Sequence, residues 1–252
     1  MASLKAVTFD LWETLIADDS DEPRRKEMGL RTKYDERRHI LWEALNAVEP
    51  ISQESAYQAY SVADAAFINL WQGHSVTWWL EERVDVILKG LDRTLPADAK
   101  QGVIDALGAL EVDVPPDAIE GARDCLADLA GRYKLCIASD TIVTPGTGLR
   151  QLLDGHGLKE FFSGFAFSDE AGHSKPHRDM FDSASSQLGI PLNEMVHIGD
   201  RDHNDVKGPQ ALGMKAVLFT ATRAHDKDIT SADAICERHV DLPGIIDQLA
   251  AS

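Results

Sequence analysis

Two hydrophobic periods divide the chain. Apolar runs of strand length recur as AVTFD (6–10), KLCIASD (134–140), GFAFSDE (164–170) and MVHIGD (195–200), each closing on an acidic or hydroxyl residue, and KAVLF (215–219) and a weaker DAIC (233–236) follow. Amphipathic segments of helix length at 147–157, 177–188 and 203–212 separate the later runs, so residues 117–250 alternate strand and helix. Near-continuous apolar strands joined by helices call for a parallel sheet buried on both faces, a doubly wound α/β architecture. In such sheets ligands gather beyond the carboxyl ends of the strands, near the point where strand order reverses. The acidic and hydroxyl residues fall at those ends.

Between the first run and the second, the period becomes helical. Apolar residues keep one face at Tyr34, Leu41, Leu45 and Val48; at Ala56, Tyr60, Ala63, Phe67 and Trp71; at Leu80, Val84, Ile87 and Leu91; and at Val103, Leu107 and Leu110. The acidic ADDSDEP (17–23) opens this stretch and VDVPPD (112–117) closes it with a proline pair. Residues 18–115 are therefore expected to form an all-helical cap on a core made of 1–17 and 116–252. Trp42, Trp71, Trp78 and Trp79 lie in the cap and read as its packing core rather than as an aromatic cage, although the adjacent Trp78 and Trp79 do not easily face one core together on a helix.

Composition narrows the function classes. A chain of 252 residues with 44 % hydrophobic content buries a sizeable core, and no low-complexity tract or fixed repeat interrupts it. No apolar stretch reaches the roughly 18 residues of a membrane span. The N-terminus runs into a strand without the basic and apolar regions of a secretory signal, so the cytoplasm is the expected compartment. Cys125, Cys136 and Cys236 are odd in number and widely spaced, which suits reduced, buried thiols. A net charge of −17 repels phosphate backbones and sets nucleic acid aside as a main partner, while a small phosphorylated substrate stays compatible. Self-association into a homodimer is left open. Residues 21–38 are locally basic and read as a solvated helix face, with Arg24, Arg25, Arg31, Arg37 and Arg38 as the candidates to grip a second anionic group.

The strand ends carry the chemistry. Asp10 follows the first run, Ser139 the second, Lys175 lies in GHSKPHRDMF, and Asp200 and Asp205 share HIGDRDHND. A carboxylate can serve as nucleophile, a hydroxyl and an ammonium can hold an anion, and a carboxylate pair can hold Mg²⁺. Alone, each of these residues reads as an ordinary turn, cap or loop position. TPGTGLR (144–150) lacks a P-loop lysine and no Gly-x-Gly follows the first strand, so no nucleotide cofactor is implied. The histidines show no spacing diagnostic of zinc, and His173 and His177, on either side of Lys175, read as loop residues.

In order and spacing, FDLWETL, IASDT, SKPHRDMF and IGDRDHND resemble the four motifs of the haloacid dehalogenase-like (HAD) hydrolase superfamily. The fourth is the most specific, and the helical insertion lies where that family places its C1 cap. The resemblance implies a Rossmann-like core and a Mg²⁺-dependent phosphohydrolase acting on a small molecule. By the same resemblance Asp10 would form a covalent aspartyl intermediate, Ser139 would bind the transferred group and Lys175 would screen its charge. Asp10, the main-chain carbonyl of Trp12 and Asp200 would hold the metal, with Asp205 in support. Trp12 departs from the pattern, because family phosphatases usually carry a second aspartate there as general acid and base. Family dehalogenases have an aromatic residue at that place, so a 2-haloacid dehalogenase is the alternative, and a silent ligand-binding member a third reading. The intact Asp200 and Asp205 weigh toward Mg²⁺, since a pair of acids at one site is costly without a cation. Glu13, where the family often has glycine, is expected to point away from Asp10. Asp140, also a candidate substrate contact, is the better replacement acid.

Overall fold

The computed structural model describes residues 3–251, so the outer ends of the expected core segments, residues 1–2 and 252, lie outside the described residues. Six parallel strands, β1 (Ala6–Phe9), β2 (Lys134–Ser139), β3 (Gly164–Phe167), β4 (Met195–Gly199), β5 (Lys215–Phe219) and β6 (Ala234–Cys236), form one sheet in the order β3-β2-β1-β4-β5-β6. The chain reverses its direction of travel across the sheet at β1, which pairs with β2 on one side and β4 on the other. Phe9 stands opposite both Ile137 and Ile198. That register brings the residues just beyond these strands, Asp10, Asp140 and Asp200, to one edge.

Between β1 and β2 run α1 (Glu22–Glu27), α2 (Lys33–Val48), α3 (Gln53–His74), α4 (Leu80–Gly90) and α5 (Ala97–Asp113). Thr32 and Ser52 cap α2 and α3 by accepting from the main-chain N–H of Asp35 and Ser55. The helices bury Leu41, Leu45, Tyr60, Val84, Ile87 and Leu107 together. Each such side chain contributes about 1.5–3 kcal/mol on burial. Val143, in the loop after β2, joins the same cluster and ties the insertion to the core. The helical face is narrower than the spacing predicts, for Tyr34 and Val48 at the two ends of α2 are 43 % and 50 % exposed.

On the core, α6 (Ala122–Ala130), α7 (Gly146–Gly155) and α11 (Leu242–Ala251) cover one sheet face, while α9 (Arg178–Leu188) covers the other with Met180, Phe181, Ala184 and Leu188. Both faces being covered, all four residues of β1 are buried. Two expectations are corrected. The run 164–170 stays extended only to Phe167 and then turns into the short α8 (Ser168–Ala171), where Ser168 Oγ receives the N–H of Thr141. The segment 203–212 is not one regular helix. Asp202–Lys207 winds as a wider π turn, with Gly208 N–H reaching His203 O, before α10 (Gly208–Ala211) begins. Such turns gather at functional sites because they re-aim a side chain. Here the side chain is Asp205.

Candidate functional site

Asp10 leaves β1 with its N–H bound to Ile198 O at 2.8 Å, and its carboxylate meets Lys175 Nζ at 2.8 Å. Lys175, almost fully buried, also donates to Asp205 Oδ1 at 2.7 Å. His197 Nε2 reaches the same Asp205 oxygen at 3.1 Å, and Arg201 N–H donates to Asp205 Oδ2 at 2.9 Å. Both Asp205 oxygens are therefore engaged. Gly199 makes this approach feasible, because a Cβ there would lie 2.3 Å from Asp205 Cγ.

Charge explains the remaining protons. Burial pulls the Lys175 ammonium down, but Asp10, Asp205 and Asp140 outweigh it and hold its pKa above the usual lysine value. Burial would raise Asp205, yet Lys175 and His197 hold it well below the usual carboxylate range. Burial pushes the His197 imidazole below its usual pKa, against the pull of Asp205. A carboxylate only accepts, so His197 carries a proton on Nε2 toward Asp205, and its Nδ1 lies 2.8 Å from the Thr8 hydroxyl.

Asp200 is the exception in this network. Its Oδ2 is buried without a hydrogen-bond partner, and Arg223 and Arg201 stand off at 3.6 Å and 3.9 Å. Burial, then the charges of Asp205 and Asp10, push its pKa up to about 8. Single oxygens of Asp10, Asp200 and Asp205 lie within 4.8 Å of one another, an all-oxygen set suited to a hard divalent cation. Ser139 Oγ, at the end of β2, is buried and likewise without a partner.

Residues 4–213 match the haloacid dehalogenase-like hydrolase family. The chain is a haloacid dehalogenase-like hydrolase. It is 28 % identical over 257 residues to human haloacid dehalogenase-like hydrolase domain-containing protein 3, covering 98 % of this chain and 93 % of that one. It is also 28 % identical over 224 residues to the Escherichia coli 5-amino-6-(5-phospho-D-ribitylamino)uracil phosphatase YigB, covering 86 % of this chain and 83 % of that one. The crystal structure of a 2-haloacid dehalogenase from Pseudomonas syringae superposes with a TM-score of 0.65 at 21 % identity, covering 98 % of this chain and 99 % of that one. At that identity the likeness speaks for the fold alone.

A cavity of about 680 Å³ separates the helical insertion of this HAD-like hydrolase from the strand ends, with Asp10, Trp12, Ser139, Asp140, Lys175 and Asp200 on its wall. The insertion supplies Lys33, Arg37 and Trp71 to the same cavity. Asp140 joins the two sides: Oδ1 accepts from Lys175 N–H at 2.8 Å, and Oδ2 accepts from the Trp71 indole at 2.8 Å. Burial raises its pKa to about 6. Both oxygens are held as acceptors, so Asp140 also fixes the main chain of Lys175. Trp71 is thus not plain cap packing, since Arg201 also lies over its ring at 5.2 Å. Nor is Trp79, which is 53 % exposed.

The basic stretch divides. Arg24, Arg31 and Arg38 pair with Asp117, Glu36 and Asp35, and Arg25 is turned to the carbonyl of Arg31. Only Arg37 of the five lines the cavity, bound to Glu111 at 2.8 Å. Lys33, which the spacing did not single out, is buried beside Asp18, Asp19 and Asp21 at 3.0–3.1 Å. Glu13 has a left-handed backbone, φ 56°, which accounts for a preference for glycine at such a position. It borders the cavity, and its carboxylate accepts from Asp18 N–H at 2.9 Å, so it is committed to its own loop. The three cysteines are free and buried, as expected. Among the described residues no helix is long and apolar enough to cross a membrane.

Proposed function

We propose that this hydrolase is a Mg²⁺-dependent phosphohydrolase, acting on a small phosphorylated metabolite in the cytoplasm through a covalent aspartyl intermediate on Asp10. The observation that carries the reading is Asp200, whose buried oxygen has no hydrogen-bond partner and lies beside two further carboxylates. Three carboxylates face one buried ammonium, Lys175, with Arg223 and Arg201 no nearer to Asp200 than 3.6 Å and 3.9 Å, and a divalent cation would offset the mutual repulsion of the carboxylates. Asp10, Asp200 and the main-chain carbonyl of Trp12 would hold Mg²⁺, and Asp205, its oxygens already engaged, would keep Lys175 in place. Bound there, the ion would neutralise charge on the transferred phosphoryl group.

The rest belongs to the side chains. Asp10 forms a bond to phosphorus as the ester oxygen departs, and water then cleaves the acyl phosphate to return the carboxylate. Lys175 fixes one oxygen of Asp10 and screens the approaching anion, while the free Ser139 hydroxyl donates to a phosphoryl oxygen. The helices of residues 18–115 act as the cap, and a cavity of about 680 Å³ is of small-molecule size. The likeness to a named phosphatase, YigB, supports the same direction.

Trp12 supports a second reading, a 2-haloacid dehalogenase, because an aromatic ring on the cavity wall cannot move a proton. Thermal stability measured with and without millimolar Mg²⁺ separates the two. A phosphohydrolase gains stability by mass action and loses the gain in Asp200→Asn. An active enzyme without any response favours the dehalogenase.

A further inference from the structure

On the outer side of the loop that carries Lys175, His173 and His177 stack with ring centroids 3.9 Å apart at 17°. Their Nδ1 atoms converge on one oxygen, Asp179 Oδ2, at 2.8 Å and 3.5 Å. We infer that His173, His177 and Asp179 form a second metal site, for a transition cation of the Zn²⁺ class, which braces the Lys175 loop. This goes beyond the phosphohydrolase reading and does not depend on it.

The donor set selects the ion. Two imidazoles with one carboxylate suit Zn²⁺, Ni²⁺ or Cu²⁺, whereas Mg²⁺ prefers oxygen alone, so the two clusters sort different metals. One ligand atom from each residue lies within 4.8 Å of the others. Around a tetrahedral ion with bonds of about 2.0–2.1 Å, ligand atoms stand roughly 3.3 Å apart. The His177 to Asp179 spacing of 3.5 Å already fits, and His173, whose side chain is 46 % exposed, has room to widen its 2.8 Å contact.

The His177 lone pair is the one contested donor. Asp179 N–H donates to His177 Nδ1 at 3.3 Å, a long cap bond that a metal on that nitrogen would replace. The His173 proton on Nδ1 would move to Nε2 through solvent as the metal enters, leaving both rings neutral. Arg178 does not compete, being bound to Asp182 at 2.6 Å. Three protein ligands leave a further position to water.

The ligands bracket Ser174 and Lys175. Ser174 N–H donates to Ser75 O at 2.9 Å, its hydroxyl meets Thr77 Oγ1 at 2.8 Å, and His173 forms a β-bridge with Val76. A metal joining 173, 177 and 179 would therefore tie down the segment that both presents Lys175 to Asp10 and meets the helical insertion.

The test titrates ZnCl₂ into the full chain under saturating Mg²⁺ by calorimetry, with backbone hydrogen exchange in parallel. The wild type is expected to take up one Zn²⁺ more than His173→Ala/His177→Ala, with slower exchange across 173–180 only in the wild type. Because His177 also caps α9, His173→Ala alone serves as the second variant and should weaken uptake at least tenfold. Equal uptake by wild type and both variants would overturn the site. Uptake without slower exchange would reduce it to an adventitious ion only and overturn the brace.

Discussion

Replacing Trp71 by phenylalanine removes one hydrogen bond and keeps an aromatic face for Arg201. The indole N–H donates to Asp140 Oδ2 at 2.8 Å, and the other donor to that oxygen, Asn204, is distant at 3.5 Å. A hydrogen bond to a charged group is worth about 1.5–3 kcal/mol, or roughly 10- to 150-fold, and water entering the cavity would hold the loss near the lower end. The variant should therefore show kcat/KM reduced about tenfold, chiefly through KM, because Trp71 reaches Asp140 only when the helices lie over the core. A pH signature should accompany it. Burial already raises Asp140 to about 6, and the indole favours the charged form. Removing the indole raises the pKa further, so Asp140 protonates and releases Lys175 N–H at a higher pH. The acid limb of the activity profile should move upward in Trp71→Phe. Steady-state kinetics on an aryl phosphate from pH 5 to 8 measures both effects, and unchanged kcat/KM with an unshifted acid limb would refute the link between Trp71 and Lys175.

Asp205→Asn should lower stability by roughly 3 kcal/mol, because a neutral amide cannot accept, as the carboxylate does, from Lys175, His197 and the Arg201 N–H together. At this chain length that is a fall in Tm of about 6–12 °C by calorimetry; a change within 1–2 °C, or roughly 0.5 kcal/mol, would mean that the pairing is not structural. Trp12 predicts a steep dependence of rate on leaving-group pKa, since no carboxylate beside Asp10 protonates the departing oxygen. Trp12→Asp should recover part of the roughly 10²–10⁴-fold of general acid catalysis for alkyl phosphates, and a flat wild-type series would point to another proton donor.

The strand ends were legible because each carries its chemistry beside a local apolar run. AVTFD, KLCIASD and MVHIGD announce both the sheet and the edge where Asp10, Ser139 and Asp200 meet. The distant pairings left less of a mark. Trp71 follows Phe67 by four residues on α3 and so reads as packing, and only the placement of α3 over the end of β2 turns its indole to Asp140. Lys33 and Arg37 look like a solvated face because Glu111, their shared acid, stands more than seventy residues away on α5. The π turn at Asp202–Lys207 preserves the apolar spacing of an ordinary helix, so the swing that carries Asp205 under Lys175 was not visible in the periodicity. Arg31 stays exposed and pairs with Glu36, five residues on, while Arg38 pairs with Asp35 but lies half-buried over Tyr34 and Tyr57, which a solvated-face pattern does not reveal.

Covalent chemistry at Asp10 is tested most directly by mass spectrometry of the peptide that contains it, after acid quench of a reaction with acetyl phosphate and Mg²⁺. The expected result is a peptide heavier by one phosphoryl group, absent in Asp10→Asn and absent when EDTA replaces the metal. An unmodified Asp10 peptide, together with halide release from 2-chloropropionate that survives EDTA, would contradict the phosphohydrolase and establish the dehalogenase in its place.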